Sequence, residues 1–259
     1  MTERGSIIYL EGVTVDYDGF KALNCLNFIV NYNELRVVIG PNGAGKTTLL
    51  DVICGKTKPV AGRVIFGKDV DLLPLPEHEI AQLGLGRKFQ APSIYGNLTG
   101  WENLDLSLKR EGKGVVATLL GKSTPAERDR IGRTLDTIGL GDCARQRAGS
   151  LSHGQKQWLE IGMVMLQDSQ LIMVDEPVAG MTDKETEQTG VLLQSLAAQH
   201  AIIVIEHDMA FVRQIARTVT VLHEGAVICE GPVDKVQSDP KVQEIYLGHH
   251  KPKGAHAQA

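Results

Sequence analysis

The run Gly40-Pro41-Asn42-Gly43-Ala44-Gly45-Lys46-Thr47 constrains this chain more than any other feature. It matches G-x-x-x-x-G-K-[ST] at every fixed position, a pattern whose glycines let successive backbone N–H groups converge on phosphate oxygens at the start of a helix. Lys46 brings a cation to the β- and γ-phosphates, Thr47 an oxygen for Mg²⁺, and Thr48 continues the run into the helix. A chance match in a chain of this length is about one in a hundred. The flanks make chance rarer still: Leu35–Ile39 reads as a buried strand, and the stretch from Lys46 to about Cys54 reads as a helix ended by Gly55. Strand, glycine-rich loop and helix in that order require an α/β nucleotide-binding fold.

The rest of the pattern fits around that unit. Ile7–Val15 and Ala22–Val30 alternate apolar and polar residues and predict an antiparallel opening, followed by a further strand over Gly62–Gly67. From about Gly86 the pattern turns helical. Thr124-Pro125-Ala126-Glu127 predicts a helix start by N-cap, proline and capping-box glutamate, with Ile131, Leu135 and Ile138 on one face and Gly139 as the stop. A helix is predicted from about Gly154 to Gln167, a strand over Leu171–Val174, a helix capped by Thr182 with Glu185 three residues on, and a strand over Ala201–Ile205. Short apolar strands alternating with helices imply a parallel sheet covered on both faces. Val219–His223 and Ala226–Glu230 predict a hairpin around Glu224-Gly225, and the aperiodic tail from His249 is expected to be disordered.

Composition serves mainly to exclude. With 27 Lys+Arg against 31 Asp+Glu the net charge is -4, which argues against a dedicated nucleic-acid binder. Residues 85–150 run the other way, with 11 Lys+Arg and 7 Asp+Glu; a solvated helical surface is the plainer reading, a face for phosphates or an acidic partner the other. No apolar run approaches the ~18 residues of a transmembrane helix, and the start lacks a signal-peptide stretch, so a cytoplasmic protein is expected. Cys25, Cys54, Cys143 and Cys229 form no metal-ligand spacing and read as buried or idle thiols.

Leu171-Ile172-Met173-Val174-Asp175-Glu176 is an apolar strand ending in two carboxylates. Alone, such a pair reads more often as a solvated loop. Downstream of a full phosphate loop, Asp175 suits Mg²⁺ and Glu176 suits orienting and deprotonating a water in line with the γ-phosphate.

Further residues carry a specific resemblance. Leu151-Ser152-His153-Gly154-Gln155 resembles the signature loop of ATP-binding cassette (ABC) ATPases, Gln90 in Arg87-Lys88-Phe89-Gln90 resembles that family's glutamine loop, and His207 its switch histidine. Tyr17 stands where the family has an aromatic that stacks on adenine. The motifs occur in family order over about residues 6–248. Two positions depart from it: His153 replaces the usual glycine of the signature, and Thr182 stands where many relatives have aspartate, with Asp183 next. Gly86–Gln90, Asn97-Leu98-Thr99 and Tyr246-Leu247-Gly248 are similar to the uptake branch for branched-chain amino acids and urea, and Ser152–Glu160 with Glu176–Thr182 most resemble an ATPase of urea transporters.

The resemblance implies a P-loop NTPase cassette: one domain over 6–248, with a RecA-like core (about 6–86 and 161–248), an antiparallel β subdomain and a helical insertion (about 87–160). It implies ATP and Mg²⁺ as cofactors. Tyr17, Gly40 to Thr48, Ser152, Gly154 and Gln155 would bind nucleotide, Thr47, Gln90 and Asp175 the metal, and Glu176, His207 and Gln90 would serve catalysis. Ser152 and Gly154 would act across a head-to-tail dimer, with a second copy or a sister ATPase, and a side chain at 153 would then stand next to the partner's γ-phosphate. Multispanning permease subunits would be contacted through about Ala91–Gly100, and a solute-binding protein only indirectly, with no nucleic acid. The expected function is ATP-driven uptake of a small polar solute, urea or an amino acid, from the inner face of the membrane. The alternatives are a lipid-export ATPase and a soluble, non-transport ABC ATPase.

Overall fold

The computed structural model describes residues 5–88, 94–110 and 123–248. Two sheets organise them. Strands β1 (Ser6–Tyr17), β2 (Phe20–Asn31), β4 (Ala61–Phe66) and β5 (Val70–Asp71) form an antiparallel sheet in the order β2-β1-β4-β5. The second sheet has the order β10-β9-β3-β8-β7-β6, built from β3 (Leu35–Ile39), β6 (Leu85–Lys88), β7 (Leu171–Asp175), β8 (Ala201–Ile205), β9 (Thr218–His223) and β10 (Ala226–Gly231). From β9 to β6 it is parallel, and β10 closes one edge as the antiparallel arm of a hairpin.

The central strands β3, β7 and β8 are buried at every position, and their alternation feeds two cores. Val38, Met173, Ile203 and Leu222 face the antiparallel sheet and helix α1 (Lys46–Ile53), which contributes Leu49, Leu50, Val52 and Ile53. Val37, Ile172, Val174, Val204 and Val221 face the opposite cover. That cover includes α3 (Gly100–Ser107), α4 (Pro125–Thr137), α5 (His153–Met165), α6 (Asp183–Leu196) and α7 (Met209–Ile215). Helices α3, α4 and α5 pack on one another, and α5 also packs on β6. Helix α2 (Glu77–Gln82) precedes β6, and α8 (Val233–Ser238) and α9 (Pro240–Gly248) end the described chain. Among the described residues, no helix is long and apolar enough to cross a membrane.

Local signals account for most boundaries. Thr124, Ser152 and Thr182 each close a capping box, with Glu127, Gln155 and Glu185 respectively. Ile131, Leu135 and Ile138 are buried together as their spacing predicts. The hairpin turns at Glu224 and Gly225, both at positive φ (47° and 75°), the geometry of a type I′ turn. One expectation fails: residues 85–88 are strand β6, an edge of the parallel sheet, and not the start of a helical run. Leu-Gly-Arg-Lys has no apolar alternation, and pairing with β7 sets its conformation. The four cysteines are free thiols, but only Cys229 is buried and Cys25 is exposed.

Candidate functional site

At two positions of the phosphate loop the surroundings leave no room for a side chain. A Cβ on Gly40 would lie 2.2 Å from Leu222 O, and one on Gly45, which adopts φ 101°, would lie 2.4 Å from Ala22 O. The β9–β10 turn fastens the loop from the other side: Gly225 N donates to Ala44 O (3.1 Å), while Asn24 N on β2 donates to Gly225 O (3.0 Å). So β2, β9 and the hairpin turn together mould the loop. Among the described residues, no side chain caps α1 and its first turn holds no acidic residue, so its positive end lies open to an anion. Lys46 Nζ donates to Gly40 O (2.7 Å) and Pro41 O (3.0 Å), arching over the loop. Burial pushes its pKa down, against the pull of Glu176 and Asp175.

Those carboxylates stand at the end of β7. Asp175 is buried, which pushes its pKa up, and Arg87 is the strongest opposing influence. The Arg87 guanidinium spans two acids, with Nη1 2.6 Å from Asp51 Oδ1 on α1 and Nη2 4.0 Å from Asp175 Oδ2. Glu176 adopts φ 45°, a left-handed conformation, and its N–H donates to Ile205 O on β8 (3.0 Å). Its Oε1 lies 3.4 Å from Nδ1 of His207, whose side chain is mostly exposed. Glu206 between β8 and His207 is 1% exposed; its Oε2 accepts from His207 N (2.9 Å) and Asp208 N (3.2 Å), and burial pushes its pKa up.

The predicted residues thus fall into separate groups. Lys46, Asp175, Glu176 and His207 come together beside Gly40–Thr48. Tyr17, half-exposed at the end of β1, shares a hydrogen bond with Thr57 Oγ1 (3.3 Å) beyond α1. Gln90, and residues 91–93 of the expected permease-facing segment, lie outside the described residues. Ser152 and Gly154 cluster with Glu185 on α6, and Gln155 pairs with Ser152. Ser152, the N-cap of α5, accepts from Gln155 N (3.2 Å) and donates its hydroxyl proton to Glu185 Oε1 (3.0 Å). His153 Nε2 bonds with Ala179 O (3.0 Å) and contacts Gln157 Nε2 (3.3 Å). Within its own chain the His153 ring thus joins α5 to the loop after Glu176.

Sequence reasoning missed Asp51, Glu206 and Glu185 as members of these clusters, and it quoted Arg87 without a role. Only Glu185 carried a local signal, its place in the capping box. A Mg²⁺ ion fits the residues present. Among the described residues no cluster of three or more His, Cys, Asp or Glu forms a metal cage, while Thr47 and Asp175 offer oxygen donors. Mg²⁺ is commonly held in just this way, by one or two protein oxygens, water and substrate phosphates.

A family profile described as "ABC transporter" matches residues 23–179, and one described as "Branched-chain amino acid ATP-binding cassette transporter" matches residues 226–252. The chain is similar to the high-affinity branched-chain amino acid transport ATP-binding protein BraF of Pseudomonas aeruginosa, 33% identical over 253 residues that cover 93% of this chain and 98% of that protein. Among solved structures it resembles the ADP conformation of an ATP-binding cassette of an ABC transporter, with TM-score 0.81 and 31% identity over 94% of this chain and 99% of that one. It also resembles a dimeric cassette in a post-hydrolysis state bound to ADP and Pi, with TM-score 0.74 and 25% identity over 87% of this chain and 98% of that one.

Proposed function

Since this chain belongs to the ABC transporter family, whose ATP-binding subunits hydrolyse ATP to power transport, we propose that it drives an importer for branched-chain amino acids. The observation that carries the reading is the open positive end of α1, with Lys46 arched over the loop toward Asp175 and Glu176 and with His207 beside Glu176. The solute class rests on the likeness to BraF over nearly the full length of both chains. Residues 6–248 are read as one ATPase domain with its helical portion at about 87–160.

In this reading the backbone N–H groups of Gly40–Thr48 hold the phosphates, Lys46 neutralises them, and Tyr17 stacks on adenine. Thr47, Asp175 and Gln90 would hold Mg²⁺, which would supply charge neutralisation for the phosphates. Glu176 takes a proton from the attacking water as its oxygen bonds the γ-phosphorus and the bond to the bridging oxygen of ADP breaks. His207, 3.4 Å from Glu176, steadies that carboxylate and the γ-phosphate. Ser152, Gly154 and Gln155 serve the nucleotide of a facing subunit, and the dimeric ADP-bound relative supports such an assembly. The natural pair is two copies or this chain with a sister ATPase, bound to multispanning permease subunits on the cytoplasmic face and coupled through them to a solute-binding protein.

Urea is a second reading of the solute, favoured only by the stretches Ser152–Glu160 and Glu176–Thr182. Affinity purification from native membranes tests both. Permease subunits should copurify, and deleting the gene should abolish high-affinity leucine, isoleucine and valine uptake. Loss of urea uptake alone would transfer the assignment, and copurification with ribosomes or nucleic acid would overturn it.

A further inference from the structure

The N-terminus of α5 is covered by a carboxylate of its own chain. Glu185 uses its two oxygens on different partners: Oε2 accepts from Thr182 N (3.0 Å) and Thr182 Oγ1 (2.9 Å), closing the capping box of α6, while Oε1 accepts the Ser152 hydroxyl proton (3.0 Å). The same oxygen lies over Gly154, where a Cβ would be 2.6 Å away. His153 ties the two loops a second time through Ala179 O.

A serine hydroxyl has one proton to donate. While Glu185 holds it, Ser152 offers a phosphate only lone pairs, beside a fixed negative charge. We infer that Glu185 is a positioning residue that restrains the Ser152 hydroxyl, so that closure on a facing subunit's nucleotide exchanges the Ser152–Glu185 bond for a Ser152–phosphate bond. This rests on the reading of Ser152 as a phosphate contact across the dimer. Glu185 itself touches no nucleotide. It sets how much ATP is needed to close the pair, and it joins the signature loop of one site to the loop that follows Glu176 in the other.

Glu185→Gln isolates the effect. Glutamine serves the capping box as glutamate does, so α6 stays capped while the charge beside Ser152 disappears. In the full-length chain the apparent KM for ATP should fall about three- to tenfold, the worth of one hydrogen bond, with kcat within about twofold. Thermal midpoint should fall only modestly, because hydrogen bonds from Thr182 and Ser152 favour the charged carboxylate in the folded chain while the capping box survives the substitution. In a Ser152→Ala background the same substitution should leave KM where Ser152→Ala alone puts it.

An unchanged or raised KM in a stable Glu185→Gln protein overturns the restraint, and so does an equal fall in KM without Ser152. Ser152→Ala alone separates this failure from that of the underlying reading. If it raises KM while Glu185→Gln does not lower it, only the restraint is wrong. If Ser152→Ala leaves KM untouched, Ser152 meets no phosphate and both fall.

Discussion

Helices α1 and α5 both begin at a glycine-containing loop beside hydroxyls and carboxylates, yet their first turns are finished in opposite ways. Helix α1 has neither a capping side chain nor an acidic residue there, and a lysine leans over it. Helix α5 is capped by Ser152 and Gln155 and overlaid by Glu185. An uncapped positive end beside a half-buried ammonium is built to receive an anion, whereas an end already capped by side chains must first give something up. On the proposed function the contrast suits the two loops to successive steps: one would bind, and the other would respond to what a neighbour has bound.

The sharpest way to break the comparison is at the chemistry beside α1. Glu176→Gln keeps the shape of the side chain but removes the proton acceptor, so phosphate release should slow by ~10²–10⁴-fold while ATP stays bound. Near-normal turnover would shift the base role to His207 or to the substrate's own phosphate. Size-exclusion chromatography with Mg-ATP should show the mutant accumulating as a nucleotide-bound dimer.

Lys46→Ala comes next. It removes the cation from the open helix end and should weaken ATP binding by about 1.5–3 kcal/mol or more, some 10- to 100-fold. Equilibrium binding of a fluorescent ATP analogue measures this, and wild-type affinity in a folded mutant would show that α1 is not the receiving end. Tyr17→Ala should cost roughly 1–3 kcal/mol for ATP and GTP alike, since stacking tolerates any base. Equal affinities in mutant and wild type would leave Tyr17 as a surface residue bonded to Thr57.

The smallest effect sharpens the α5 side. His153→Gly deletes the bond to Ala179 O but leaves Ser152 and Gly154, so ATPase activity should hold or rise, while stability should fall by about 0.5–1.5 kcal/mol for the lost hydrogen bond. A lower midpoint in urea unfolding with undiminished turnover is the expected pair of results. A large loss of turnover would make His153 part of the chemistry.

Most of the fold was legible because its signals are local. The phosphate loop, the capping boxes at Thr124 and Thr182, the apolar strands and the Glu224-Gly225 turn each need only a few adjacent residues. Strand β6 was illegible for the converse reason: its conformation comes from pairing Leu85–Lys88 with Leu171–Val174, far along the chain. The candidate site divides in the same way. Lys46, Asp175 and Glu176 announced themselves by motif. The Arg87 bridge from Asp51 to Asp175 and the Ser152–Glu185 bond span 36 or more and 33 positions respectively, and no pattern within a single stretch encodes them.

The bonds from Gly225 to Ala44 and Asn24 have a consequence for the order in which the protein becomes competent. The loop near the beginning of the chain takes its shape from Leu222 and Gly225, near its end. A ribosome must release the chain through the β9–β10 turn before the nucleotide cradle is complete. ATP affinity therefore reports that β9 and β10 have been made and docked, and a chain stopped before β9 would carry an intact motif moulded from the β2 side alone.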